Sequence, residues 1–320
     1  MSLIPPFDFQ RVFVEPWAEG GALHGWILAM AVLVGMACGL VGNYLLLRRM
    51  ALIGDAISHS VLPGLVLAFM LAHSRHIGVM FAGALAAGLV TVFLIEFIHK
   101  KSRVKPDAAI CITFTTLFAI GVVLTSLIDK GGLHIDAECI LYGEIAFVPL
   151  EPPVKILGRA LGPQPVLQML GVTAGVVVLI VLFYKELLAS SFDPGLTASL
   201  GFNVTAMHYG LMAALSIVVV SAFEAVGAIM VVAMLIIPGM TAAQLSDHLA
   251  TRHWLVGVHS ILSGLLGLHL SVWLNCSMAG AMVLTGAGFF VLAWLFSPSQ
   301  GMIHRWRRPD APGDTVSQFQ

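Results

Sequence analysis

The chain has 320 residues, of which 58% are hydrophobic and only 10% charged, with a formal net charge of −1. A soluble domain of this size keeps a charged surface, so this composition excludes one. The near-zero charge also gives no electrostatic basis for a nucleic-acid partner, and the chain reads as an all-α, polytopic transmembrane helical bundle.

Residues 1–24 read as an external N-terminal segment. They lack the basic start and small-residue cleavage pattern of a signal peptide. A membrane span needs about 20 apolar residues. Runs of that kind occupy 25–47, 51–71, 77–98, 108–128, 165–184, 254–273 and 277–296. The run 207–244 is too long for one span, and Glu224 sits near its middle. It reads as two spans turning close to Glu224. The basic clusters are Arg48-Arg49, residues 99–105, Arg252 and Arg305 to Arg308. The positive-inside rule puts them all on the cytoplasmic side only with nine spans, the N-terminus outside and the C-terminus inside. Eight spans is the alternative count. The transmembrane body is then 25–305, with a polar cytoplasmic tail at 306–320 and, at Arg305 to Arg308, an orientation signal that binds anionic membrane lipid.

Asp55 and His59 are four residues apart, which on a helix puts both on one face. A carboxylate and an imidazole so placed can share a divalent cation. Burying an Asp at a helix centre in lipid costs about 2.5–3.5 kcal/mol, so the pair should face a protein interior or a water-filled path. The bland alternative is that Asp55 pairs with Arg48 or Arg49 while His59 bonds a backbone carbonyl. A regular helix from Arg49 would lift His59 about 15 Å, near mid-membrane. Pro63-Gly64 is expected to break that helix one turn later, and Pro238-Gly239 echoes it in the second half. Paired Gly/Pro interruptions point to a substrate path, which makes Pro63, Pro238 and Glu224 candidate gate residues. Ser58 and Ser60 read as helix-packing residues. His208 reads as an interface residue at the start of a span. His73, His76 and His134 fall in external loops.

Two connections stand out. Residues 129–164 read as an external loop with a partly embedded piece around 139–150. Residues 185–203 read as an internal loop holding a short helix, with Asp193 as its cap, Pro194 at its first position and Gly201 ending it. The four cysteines, Cys38, Cys111, Cys139 and Cys276, lack C-x-x-C spacing and read as small buried residues.

The chain has no phosphate-binding loop and no H-E-x-x-H. Energy for active transport must come from another subunit. The run LRRMALIGDAISHSVLPG from Leu47 to Gly64 resembles the signature of the ABC-type zinc/manganese/iron permeases, the ABC-3 family. Four later segments fit in order: LYGEI at 141–145, FYKE at 183–186 with FDP at 192–194 and Leu200-Gly201, VGAIMVVAMLIIPG at 226–239, and FSP at 296–298 with Gly301. The resemblance implies a type II ABC-importer-like fold and the permease subunit of an ATP-driven, binding-protein-dependent importer of Mn, Zn or Fe. Its implied partners are a cytoplasmic ATP-binding subunit, an external metal-binding protein and a second permease chain, identical or different. The resemblance also implies that Asp55 and His59 contact the transported metal. Phe192, Asp193, Pro194, Leu200 and Gly201 would couple to the ATPase. The chain would hold no permanent cofactor and is not itself an enzyme. The rival reading is an ATPase-independent secondary carrier or channel, against which the scarcity of other intramembrane carboxylates argues. A membrane-embedded enzyme lacks a convergent nucleophile. A carboxylate plus an imidazole suits Mn, Fe and Zn alike, so the residues leave the metal open.

Overall fold

The structure, a computed structural model, describes residues 5–73, 77–129, 144–156 and 159–297. One π-helical turn (Gln10–Val14) leads into α1 (Glu15–Leu47), then α2 (Ile53–Ala72), α3 (Ile77–Lys101) and α4 (Pro106–Asp129). A 3-10 turn (Ile145–Leu150) and an antiparallel hairpin, β1 (Pro153–Ile156) and β2 (Arg159–Pro163), precede α5 (Gln164–Leu182). Next come α6 (Tyr184–Phe192), α7 (Pro194–Ser199), α8 (Val204–Leu245), α9 (Leu249–Leu274) and α10 (Met278–Phe296). Among the described residues nine helical stretches are long and apolar enough to cross a membrane. Two of them, Val204–Phe223 and Ala225–Leu245, are the limbs of α8, so the nine-span reading holds.

Gly227 is where α8 divides, at φ 76° and ψ 166°. Only glycine adopts that backbone without strain, because a Cβ there clashes with the flanking peptides. Gly227→Ala is therefore expected to cost about 1–3 kcal/mol and to lower the thermal midpoint of the purified protein. An unchanged midpoint would show that the backbone at 227 relaxes freely.

Burial sorts the spans. The apolar windows of the second α8 limb and of α1 are 67% and 61% buried, against 22% for α4 and 28% for α3 and α5. The first two make the centre, and α3, α4 and α5 the periphery. Small residues let the central helices approach. A Cβ on Gly42 would stand 1.9 Å from the Leu235 carbonyl oxygen, and one on Gly39 would stand 3.2 Å from Pro238 Cβ. Such contact replaces the hydrophobic drive that lipid cannot supply. The two serines flanking His59 bond their own helix. Ser58 donates to the Gly54 carbonyl at 3.0 Å and Ser60 to the Ala56 carbonyl at 2.5 Å, as packing residues do.

Several expectations change. Helix α1 begins ten residues before 25, with a non-helical Gly20 inside it. Helix α2 begins at Ile53 rather than Arg49, because α1 closes on a left-handed Arg49 (φ 57°). There Met50 N–H donates to the Leu45 carbonyl at 2.9 Å and Arg49 N–H to the Leu46 carbonyl at 3.1 Å, which ends the helix. Pro63 does not break α2, nor does Pro238 break α8; each lies inside a continuing helix. Packing outweighs the one lost hydrogen bond: a Cβ on Gly121 of α4 would stand 2.9 Å from Pro63 Cδ, so Pro63 is wedged between two helices. The connection 129–164 is more than a loop. Its 3-10 turn buries Ile145 and Val148 against the central helices, and its hairpin is the one β element among the described residues. The expected embedded piece lies partly outside the described residues, as does Cys139. Cys38 is buried as expected, but Cys111 and Cys276 are exposed, because their apolar surroundings form an outer helix face and a helix end.

Candidate metal pathway

Asp55 stands in the first turn of α2, where the helix dipole favours a carboxylate. His59 lies one turn further. Its Nε2 is 3.4 Å from Asp55 Oδ1, and both side chains are about one third exposed. That separation is long for a hydrogen bond but natural for two ligands of one cation. Two bonds of about 2.0–2.2 Å at a tetrahedral angle put their donor atoms about 3.4 Å apart. Phe114 and Phe118 of α4 flank the imidazole, each ring centroid 5.9 Å away. Pro63 has no N–H to return to the His59 carbonyl, which leaves that oxygen without its α-helical donor beside the pair. His59 is six residues into α2, about 9 Å along its axis, less than the about 15 Å that a helix starting at Arg49 would give. The alternative pairing of Asp55 with Arg48 does not occur, since Arg48 is engaged elsewhere.

The described residues hold no group of three or more His, Cys, Asp or Glu able to enclose a metal. Among the described residues Asp55 and His59 are thus a pair of potential donors, fewer than the closed set of a structural site. Pro238 packs against α1 beside Gly39. Glu224 lies between the two limbs of α8, its side chain outside the described residues. His73 is the left-handed cap of α2 and exposed, while His76 and His134 lie outside the described residues.

The model of the ABC 3 transport family matches residues 23–297. The chain belongs to the ABC 3 transport family. It is 44% identical over 282 residues to the manganese transport system membrane protein MntD of Bacillus subtilis, covering 88% of this chain and 95% of that one. It is 41% identical to the zinc transport system membrane protein TroD of Treponema pallidum, covering 87% and 75%. Among solved structures it resembles PsaBC from Streptococcus pneumoniae in complex with Fab, with a TM-score of 0.74 and 33% identity over 92% of this chain and 98% of that one.

The short helix of this ABC 3 chain has the expected caps. Asp193 Oδ1 accepts from Leu196 N–H at 2.9 Å. Gly201, at φ 87°, closes the other end, where its N–H donates to the Ala198 carbonyl at 3.0 Å. Phe192, Leu196 and Leu200 are 68%, 58% and 63% exposed, an apolar cluster on the connection between two spans. Exposed apolar groups gathered in this way mark an interaction surface.

Sequence reading missed one polar cluster at the same end of the ABC 3 bundle. Arg48 Nε donates to Ser191 Oγ at 3.1 Å and Nη2 to Ser190 Oγ at 2.9 Å. Its Nη1 lies 3.2 Å from His208 Nδ1. His208 Nε2 lies against Glu96 Oε1. Tyr209 and Lys100 donate to Glu96 Oε2 at 2.6 and 2.7 Å. Burial lowers the pKa of the Arg48 guanidinium from its ordinary value, while the nearby Tyr44 opposes this. The only local signal was Glu96 itself, a carboxylate one turn from Lys100 inside an apolar run.

Proposed function

We propose that this chain is the membrane-spanning permease of an ATP-driven importer for a divalent transition metal, manganese or zinc, in a bacterial plasma membrane. The observation that carries this reading is the Asp55/His59 pair, one-third exposed at a ligand-like separation within an ABC 3 fold. Manganese and zinc appear in the names of its relatives, and iron is a third metal that the same donors accept. The ion is cargo, so a loose two-residue contact suits it, because a tight site would trap it.

The partners follow from what one chain lacks. It has no nucleotide-binding motif, so ATP hydrolysis belongs to a separate subunit. Residues 192–201 are its docking element, supported by their cap geometry and exposed apolar side chains. A second permease chain, identical or different, faces the pair across α4, whose Ile112, Ile120 and Val123 are exposed. An external metal-binding protein delivers the ion on the opposite side. Arg48, Lys100, Lys101 and Arg252 share one end of the bundle, which the positive-inside rule assigns to the cytoplasm, with the N-terminus outside and the C-terminus inside. Pro63, Pro238 and Glu224 remain gate candidates within an alternating-access cycle.

Expression with its ATPase and binding protein, in cells lacking their own importers, should raise cellular Mn or Zn. If no metal accumulates, the importer reading fails. Leu196→Asp puts a charge in the middle of the docking surface. It is expected to reduce co-purified ATPase at least about tenfold, a loss of about 1.4 kcal/mol or more. Undiminished co-purification would move the docking surface elsewhere.

A further inference from the structure

The polar cluster around Arg48 has a direction. A guanidinium only donates, so the contact with Arg48 makes His208 Nδ1 an acceptor. The ring proton then sits on Nε2, facing Glu96 Oε1. Glu96 is an acceptor only, and it also receives Tyr209 and Lys100. On the other side, Ser190 and Ser191 accept from Arg48 and pass their own protons to the Leu187 carbonyl, at 3.2 and 2.6 Å. The members therefore face groups of complementary polarity, with His208 Nε2 and Glu96 Oε1 in ion-pair proximity. The chain of bonds runs from the last turns of α6, through the end of α1, to the first limb of α8 and the end of α3.

The placement of these four elements matters. Ser190 and Ser191 immediately precede Phe192 and the Asp193 cap of α7. Arg48 is the cap residue of α1, five residues before the start of α2 and seven before Asp55. Glu96 is nine-tenths buried at the end of a peripheral helix that otherwise offers lipid an apolar face, so its carboxylate is costly there without partners. Lys100 and Arg48 bring positive charge to the cluster, which makes it unsuited to a cation and suited to a strut.

The geometry points to Arg48 and His208 as positioning residues that tie the segment ahead of the docking helix to the root of the metal-contacting helix. This rests on the reading of residues 192–201 as the ATPase-docking element. A displacement of α6 then pulls on Arg48 directly, and through the tight 48–52 turn on α2. The same displacement reaches α8 and α3 through His208 and Glu96. Loss of the strut uncouples ATP hydrolysis from movement of the pair, without touching either the metal or the nucleotide.

The test uses the permease with its ATPase and binding protein in proteoliposomes, and reads the metal ions moved per ATP hydrolysed. His208→Leu keeps bulk but severs the chain; the ratio is expected to fall at least about tenfold. His208→Gln can still accept from Arg48 and donate toward Glu96, so its ratio is expected to stay within about twofold of wild type. Arg48→Lys supplies one point donor where three separate contacts are needed, and should resemble His208→Leu. A merely structural role lowers both rates together through loss of folded complex and leaves the ratio alone. The inference is overturned if His208→Leu keeps the wild-type ratio, or if His208→Gln loses as much as His208→Leu. A wild type that hydrolyses ATP but moves no Mn or Zn overturns the transport reading, and this inference with it.

Discussion

Asp55→Ala and His59→Ala are each expected to lower metal uptake about a hundredfold at normal expression, a barrier increase of about 3 kcal/mol. The reason lies in the count of ligands. On the proposed path one chain offers the ion two side chains, 3.4 Å apart. Removing one leaves a single ligand on a half-buried path, and the ion regains too little of its lost hydration there. The informative variant is Asp55→Asn. It keeps the shape and one acceptor oxygen but drops the charge that offsets a divalent ion. If charge drives entry, Asn should fall nearly as far as Ala. If only packing against α4 matters, Asn should transport normally. Uptake that survives all three substitutions would make the pair structural and send the search for the path toward the Pro238 region and Glu224.

The second large effect concerns the fold. Gly42→Ala adds one methyl group, which would meet the Leu235 carbonyl at 1.9 Å. Backbone cannot swing aside as a side chain can, so α1 and α8 must separate by more than 1 Å. Overpacking of this kind costs about 1–3 kcal/mol, and more where backbone is struck. The thermal midpoint in detergent is expected to drop by about 5 °C or more. Gly25→Ala on the same helix is the control, because no heavy atom beyond the helix lies within 4 Å of its added methyl. It should be neutral or slightly stabilising, since Ala is about 1 kcal/mol better than Gly in a helix. Equal midpoints for the two variants would refute the tight crossing. Function should suffer with stability, because a Cβ on Gly54, next to Asp55, would meet Leu235 Cδ2 at 2.1 Å. The residue that limits the approach of α1 thus also backs the root of α2, which carries Asp55.

Much of this was written locally along the chain. The spans announce themselves because lipid requires long apolar runs with their backbone groups satisfied inside one helix. The split of α8 was legible because a run of 38 apolar residues cannot cross once. The Asp55/His59 pair was legible because four-residue spacing has a single geometric meaning on a helix. The Asp193 and Gly201 caps were legible for the same reason, as each acts on atoms within a turn of itself.

Errors arose where neighbours outweighed local preference. Proline predicts a break, yet α2 continues through Pro63 because Gly121 lets α4 clasp it. The basic pair at 48–49 looked like an orientation signal or a partner for Asp55, but Arg48 is a fourfold junction of α1, α6, α8 and, through His208, α3. His208 looked like an interface residue until packing brought it beside Glu96, more than a hundred residues away in the chain. Periodicity, capping and desolvation act over a few residues, so the order of elements and the juxtaposition of Asp55 and His59 could be read directly. Which helix faces which depends on side chains distant in sequence fitting together, and that fit placed the polar junction.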